Sequence, residues 1–521
     1  MIGIHEVLEM HEVKGIGEVG GMYDGNRQTV PYRDKANAYL TVYLTLTLTV
    51  ILSLFLVLIE GIRKNAVFME SECVTDIGLN SIMAEYHREL LAQYNLFAID
   101  SSYGSGSPRV DATEQRLQEY IEHNLSTDDV FLDWLLYRDF LGIKLDEVQL
   151  GKALYLTDGG GSVFRRRAAE AVWDDMNLDL YRQLQDWLQV VDSEQLTERD
   201  IAAEKRKLDK QLDAYDGDEV QISETEWVTV EIVNPTAALE KKRKEGILKW
   251  VIKDTSALSN KTVPLNNLIM TRMSANKINQ GNIELEELSG TEESLERFFF
   301  QEYLLRYMGH YRAESEKGAL CYQIEYLLTG GENDLANLKS VVNTIFAIRE
   351  VANTIYIMGD QEKCMIAEAL GIVLATAMTI PEAYELVKMI LLFGWAFAES
   401  IHDVECLMSG GRVPLMKNSR TWFYGLDMAL KLGGPSGQVS SSGDSTGLSY
   451  EDYLRILMML QNKDTLTGRA MNMVEADIRQ TTGNEKFRLD GCLDTVEACV
   501  KTKSVYGHTC EITRRKSYST Q

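Results

Sequence analysis

The longest uninterrupted apolar stretch runs from Tyr39 to Ile59, YLTVYLTLTLTVILSLFLVLI, and holds no charged residue, Gly or Pro. At about 1.5 Å per residue it makes a helix about 31 Å long, close to the thickness of a bilayer's hydrocarbon core. Water is not available to the backbone there, so a single span has to be a helix with every amide bonded internally. Thr41, Thr45, Thr47, Thr49 and Ser53 are polar for such a place, but their hydroxyls can bond a carbonyl one turn back. Leu44 to Thr49 alternates Leu and Thr, the period of a half-buried strand. Apolar residues continue on both sides of it, and that length points to a membrane helix. Tyr39 and Tyr43 fall where an interfacial aromatic pair belongs. Arg27, Arg33 and Lys35 precede the stretch, and Arg63 and Lys64 follow it. The slight basic excess before it predicts a cytoplasmic N-terminus and an exported C-terminal body.

The pattern elsewhere is mostly helical. Residues 1–37 read as a polar tail and 38–60 as the membrane helix. In 61–160 the helix continues to Tyr94, with Ile77, Ile82, Tyr86, Leu90 and Leu91 on its apolar face. A strand over Asn95–Asp100, helices over Asp111–Leu125 and Val130–Leu141, and a strand over Ile143–Thr157 follow. Residues 161–290 carry long charged helices and a loop. They comprise a helix bearing Arg165, Arg166 and Arg167, a charged helix or helix pair over Leu178–Tyr215, a strand over Glu226–Val233, a helix from Pro235 to Lys253, and an extended loop over Ser256–Thr291. Residues 291–435 read as a helical bundle, with helices at Glu293–Tyr311, Lys317–Leu328, Asp334–Met358, Glu362–Met378 and Pro381–Met408. The last two are very apolar, but Glu368 and Lys388 interrupt them, which suits core helices better than a second membrane hairpin. Residues 436–521 give a loop over Ser440–Gly447, one helix over Tyr450–Gln480, and closing strands over Thr495–Cys499 and Thr509–Thr513. The predicted class is mainly α with a minor β component (α+β). A single N-terminal transmembrane helix continues into a long exported helix, and a helical bundle follows.

Composition narrows the function. Asp and Glu number 78 against 53 Lys and Arg, a net charge of −25, which argues against nucleic acid and against adhesion to anionic lipid. The 521 residues allow two to four domains. The 7 cysteines include no CxxC pair, so a zinc ribbon is not expected. Cys492, Cys499 and Cys510 are close enough in sequence for a disulfide in an exported protein; scattered buried thiols are the simpler reading.

Candidate chemistry is sparse. Glu399 and His402 form an ExxH pair with Asp403 beside it, but a di-iron bundle needs a second copy, and none is present. A charged helix edge is the plainer reading. Asp158-Gly-Gly-Gly-Ser162 lacks the Walker lysine and the G-x-G-x-x-G spacing, so it reads as a turn rather than a phosphate cradle. There is no G-x-S-x-G elbow, and only 7 histidines supply bases or ligands. No catalytic, cofactor-binding or metal residue is assigned, and no cofactor is expected. The enzymatic alternative would place a site near Glu399, Asp403 and Lys417.

Several blocks, in order, carry a family resemblance: YLTVYLTLTLTVILSLFLVLIEGIRKNA, DIGLNSIMAEYHRELLAQYNLFAID, TDGGGSVFRRRAAEAV, YQIEYLLTGGENDLANLKSVVNTIFAIREVAN and AFAESIHDVECLMSGGRVPLMK. They resemble a bacterial single-pass membrane family that carries only an unknown-function label. That family is similar to proteins associated with tight-adherence (Flp-type) pilus assembly in Gram-positive bacteria. The resemblance implies location and association and supplies no catalytic residue. It implies a membrane-anchored, extracytoplasmic structural or assembly protein, whose partners are membrane lipid and pilus or pseudopilin components met through the transmembrane helix. A prepilin peptidase site would need a Glu where Tyr43 stands.

Overall fold

The computed structural model describes residues 32–126, 141–175, 178–223, 226–285, 288–431 and 447–518. Most of the polar tail, the Val130–Leu141 helix except its last residue, and the Ser440–Gly447 loop except its last residue lie outside them. The chain divides into two units, Met1–Met69 and Glu70–Gln521. Within the described residues, helix dominates and strands are few, so the predicted class holds.

The apolar stretch lies in α1 (Tyr32–Met83). Among the described residues this is the one helix long and apolar enough to cross a membrane. Its leucines and valines are exposed, Val57 to 69% and Leu46 to 61%. The hydroxyls turn inward on their own helix: Thr45 donates to the Val42 carbonyl at 2.9 Å, Thr49 to Thr45 at 2.7 Å and Ser53 to Val50 at 2.8 Å. The stretch therefore presents hydrocarbon on all sides, with its polar groups already satisfied.

In the second unit, the helix expected to reach Tyr94 stops at Met83 and resumes as α2 (Arg88–Tyr94). The break is chemical. His87 caps α2 by accepting the Leu90 N–H at 3.2 Å, and its own N–H donates to the Ala98 carbonyl at 2.9 Å. Asn95 closes α2 in the left-handed conformation (φ 51°), which shortens the expected strand to β1 (Ile99–Asp100). α3 (Val110–Leu125) and β2 (Ile143–Tyr155) follow closely on expectation.

The main sheet forms around β5 (Cys492–Ser504), which pairs antiparallel with β1, with β2 and with β6 (Thr509–Ser517). Both closing strands run longer than the sequence suggests. Their register sets Val500 opposite Val148 and Ile512. Val496, Ala498 and Val500 are buried with Leu79, Ile82, Leu117 and Ile121, so the end of α1 and α3 cover this face. All seven cysteines are free. Cys499 faces Thr513 and Cys510 faces Thr502, so the sheet keeps those two thiols from a common rung.

The glycine turn leads into α4 (Asp158–Glu170), with Gly159, Gly160 and Gly161 all at positive φ. The charged segment is a pair, α5 (Leu178–Ser193) and α6 (Ile201–Asp213). It is not a solvated arm, because Leu184, Val191, Ile201 and Leu212 are buried. The Glu226–Val233 strand is shorter, β4 (Glu226–Thr229), and pairs with β3 (Glu219–Ser223), which sequence reading missed. The helix from Pro235 is two pieces, α7 (Ala237–Glu245) and α8 (Leu248–Val251). The Ser256–Thr291 stretch is mostly irregular, but it contains α9 (Ile269–Ser274). From α9, Arg272 reaches the buried Glu475 at 2.6 Å and Asp490 at 2.6 Å.

The bundle follows the predicted order: α10 (Thr291–Tyr307), α11 (Gln323–Thr329), α12 (Asp334–Gly359), α13 (Gln361–Ala377) and α14 (Tyr384–Met408). α14 is buried nearly all round, from Ile390 through Ile401, as a core helix should be. α15 (Leu426–Leu430) is short. The single helix expected over Tyr450–Gln480 is two, α16 (Tyr450–Leu460) and α17 (Lys463–Arg479). Asn462 makes the break, accepting the N–H groups of Asp464 and Thr465, both at 3.0 Å.

Buried carboxylates hold the loop between α10 and α11. Glu325 accepts the Tyr311 N–H at 2.9 Å, Asp477 the Ala319 N–H at 2.7 Å, and Asp334 the Cys321 and Tyr322 N–H groups at 2.9 and 3.0 Å. Burial pushes Glu325 up to about 7 and Asp477 up to about 6.

Two predictions follow from this packing. A Cβ at Gly371 would lie 3.1 Å from the Tyr384 carbonyl, where α13 meets α14. Gly371→Val is expected to cost about 1–3 kcal/mol in urea unfolding, whereas Gly359→Ala, with open space around it, costs nothing measurable. The second concerns pH. A folded value near 7 lies above the ordinary carboxyl range, so the stability that protonated Glu325 supplies is complete below about pH 4.5 and is lost as pH rises through about 7. Glu325→Gln should flatten the fall in unfolding free energy between pH 5 and 8, and an unchanged slope would refute the assignment.

Candidate functional site

Glu399 and Asp403 stand one turn apart on α14, and Arg349 and Asn353 one turn apart on α12, so each pair shares a face. The two faces meet. The Arg349 Nε and Nη2 donate to Asp403 Oδ2 at 3.1 and 2.9 Å, and Asn353 Nδ2 donates to the same oxygen at 2.8 Å. Arg349 Nη1 donates to the Leu415 carbonyl at 2.6 Å and the Pro414 carbonyl at 3.0 Å, and lies 3.2 Å from the Tyr453 hydroxyl of α16. Nη2 also reaches Asn353 Oδ1 at 3.2 Å, so every edge of the guanidinium is used.

Lys417 enters from the segment that leaves α14. Its Nζ lies 2.6 Å from Asp403 Oδ1 and donates to Glu399. Glu399 takes two further donors from the same segment, the N–H groups of Phe423 at 2.8 Å and Tyr424 at 2.9 Å. Two cations face two carboxylates, and all four are buried: Arg349 and Glu399 are 0% exposed and Asp403 1%. Burial opposes the charge on Asp403, but the Arg349 guanidinium and the Lys417 ammonium outweigh it and hold its carboxyl below the usual range. At Glu399 burial wins over Lys417, and the carboxyl is pushed up.

Sequence reading named Glu399, Asp403 and Lys417 as a possible cluster, and the structure brings these three together. The charged-edge reading of the helix is corrected, since Glu399 and Asp403 are buried in the core. His402 stacks on the Phe423 ring, with centroids 4.0 Å apart. Burial lowers its pKa. Among the described residues no group of three or more His, Cys, Asp or Glu could hold a metal ion. Sequence reading missed Arg349, Asn353 and Tyr453. A signal was there: Arg349, Glu350 and Asn353 interrupt the apolar run IFAIREVANTI within one turn.

Residues 225–504, more than half of the chain, match the model of DUF5702, a family of unknown function. The chain belongs to DUF5702. No curated protein and no solved structure matches it. The DUF5702 region contains the whole quartet and Tyr453, as well as β5. The apolar stretch of α1 lies outside it, as do β1, β2 and β6.

What the arrangement can do chemically follows from its closure. Each charged group already has partners, and the side chain of Lys417 is 2% exposed. A reacting molecule would have to displace these pairings to reach any of the four charges. The quartet ties α12, α14, α16 and the 413–424 segment into one body. Lys417→Met should therefore destabilise the protein by about 3–5 kcal/mol, because it strands buried negative charge. Urea unfolding of the detergent-solubilised chain would show it, and a loss below about 1 kcal/mol would mean the pair is not closed in solution.

Proposed function

We propose that this protein is a membrane-anchored structural or assembly component of a pilus-like surface apparatus, with its N-terminus cytoplasmic and its body exported. The observation that carries this reading is the Tyr39–Ile59 stretch, whose apolar side chains are exposed and whose hydroxyls bond their own helix. Such a surface has only lipid or other membrane helices to pack against. The acidic composition suits a body that stays off its own anionic membrane. The resemblance of the anchor and later blocks to tight-adherence pilus-associated proteins supplies the finer term, association through the membrane helix. On this reading the protein works by packing and carries out no reaction.

A membrane-tethered enzyme of the exported side is the second reading. One observation favours it: Glu399, Asp403 and Lys417 converge. Their mutual pairing and burial weigh against it, since catalysis needs at least one of them turned toward a substrate.

Two measurements decide. Reporter fusions before Tyr39 and after Asn65 should report opposite sides of the membrane. In-cell crosslinking from positions on the apolar stretch should capture pilus or pseudopilin components. Recovery of the full chain in the soluble fraction without detergent would end the anchor reading, and crosslinks to no other membrane helix would end the assembly reading.

A further inference from the structure

The chain as a whole is strongly acidic, yet one cavity runs the other way. It measures about 530 Å3 and is lined by the start of α6, the end of α7 and the outer face of α12. That volume lies within the ordinary range for small-molecule sites. Four basic side chains line it, Arg199, Arg243, Lys244 and Lys339, against two carboxylates, Asp200 and Glu350.

The two carboxylates are already engaged. Glu350 is buried and takes both terminal nitrogens of Arg243, Nη1 at 3.1 Å. Asp200 caps α6 by accepting the Ala203 N–H at 2.9 Å and lies 3.9 Å from Arg206. Arg199 is matched by Glu204, at 2.9 Å. What remains is positive. Lys244 and Lys339 are exposed, and neither has an ion-pair partner among the described residues. Arg243 Nε is buried and lies 3.8 Å from Glu240 Oε1, so Arg243 is matched as well. Arg243 is fixed in place as a wall of the cavity, its guanidinium 4.4 Å from the Phe397 ring centroid and bonded to Glu350.

We propose that this cavity binds a phosphoryl group carried by a small molecule. Two unmatched ammonium groups balance a dianion, and lysine serves phosphate well as a mobile point charge. Ile247, Phe346 and Ala347 add apolar wall against which an organic body can rest. A phospholipid headgroup offers the same chemistry, but the acidic body is repelled by an anionic bilayer, which favours a soluble phosphoester. This site is independent of the membrane-assembly reading.

The test is calorimetric titration of the full-length chain in detergent at about 50 mM salt, where surface charge is little screened. Pyrophosphate and glycerol 1-phosphate serve as probes. Pyrophosphate should bind at one saturable site. Lys244→Gln and Lys339→Gln should each weaken it about tenfold, the scale of one charge-assisted contact. Lys207→Gln, on α6 but outside the cavity, should leave it unchanged. All three lysines are exposed, so the variants should melt like the parent. Glycerol 1-phosphate, itself a soluble phosphoester, should compete for that site, and binding of phosphatidate in mixed micelles with neither soluble probe bound would overturn the soluble reading. No saturable heat with either probe, or equal weakening in all three variants, would overturn the proposal.

Discussion

Moving an ion out of water into a medium of low polarity costs several kcal/mol even after relaxation, and α14 imposes that cost twice. The helix is buried nearly all round, and it carries Glu399 and Asp403 on one face. Nothing apolar can neutralise them, so the rest of the bundle is arranged to bring cations there. Arg349 on α12 supplies a planar fork that meets Asp403, two carbonyls and Asn353 together. Lys417 supplies the second charge from a segment with no regular structure of its own. The register of α12 on α14 and the path of residues 413–424 are thereby fixed, because a shift of one turn in either would strand a charge.

The same device recurs where the chain is irregular. The loop between α10 and α11 is held by Glu325, Asp477 and Asp334, each accepting backbone N–H groups that no strand or helix satisfies. The 256–291 stretch is held through Arg272, between Glu475 and Asp490. A buried backbone amide without an acceptor costs about as much as a lost hydrogen bond, so long irregular segments need such anchors. Part of the chain's excess of carboxylates is structural for this reason. The interior uses them as acceptors, and burial keeps Glu325 and Asp477 close to neutrality in their titration.

This economy bears on function. The quartet most like a catalytic cluster is consumed by its own packing, whereas the cavity beside α6, α7 and α12 keeps cations that packing does not use. The Tyr39–Ile59 stretch presents hydrocarbon and little else. Among the described residues, an apolar helix and a basic cavity in an acidic body are thus left for the two roles proposed above.

The apolar stretch, the mainly helical class and the order of the bundle helices were legible in the sequence, because each depends on local periodicity or on length alone. Tyr39–Ile59 needs no tertiary context to be recognised, Asp334–Gly359 is announced by its Asn333 cap, and Tyr384–Met408 by its long apolar run. The breaks at His87 and Asn462 were in principle legible too, as capping residues, but long apolar patterns run across them. Tertiary structure alone decided which charges go inside. Glu399 and Asp403 look like any solvated edge until α12 places Arg349 against them. Arg272 looks like loop until α17 surrounds it. The burial of Asp403 and of Arg272 depends on Arg349 and Glu475, and these partners are too distant in sequence for one local window to contain both.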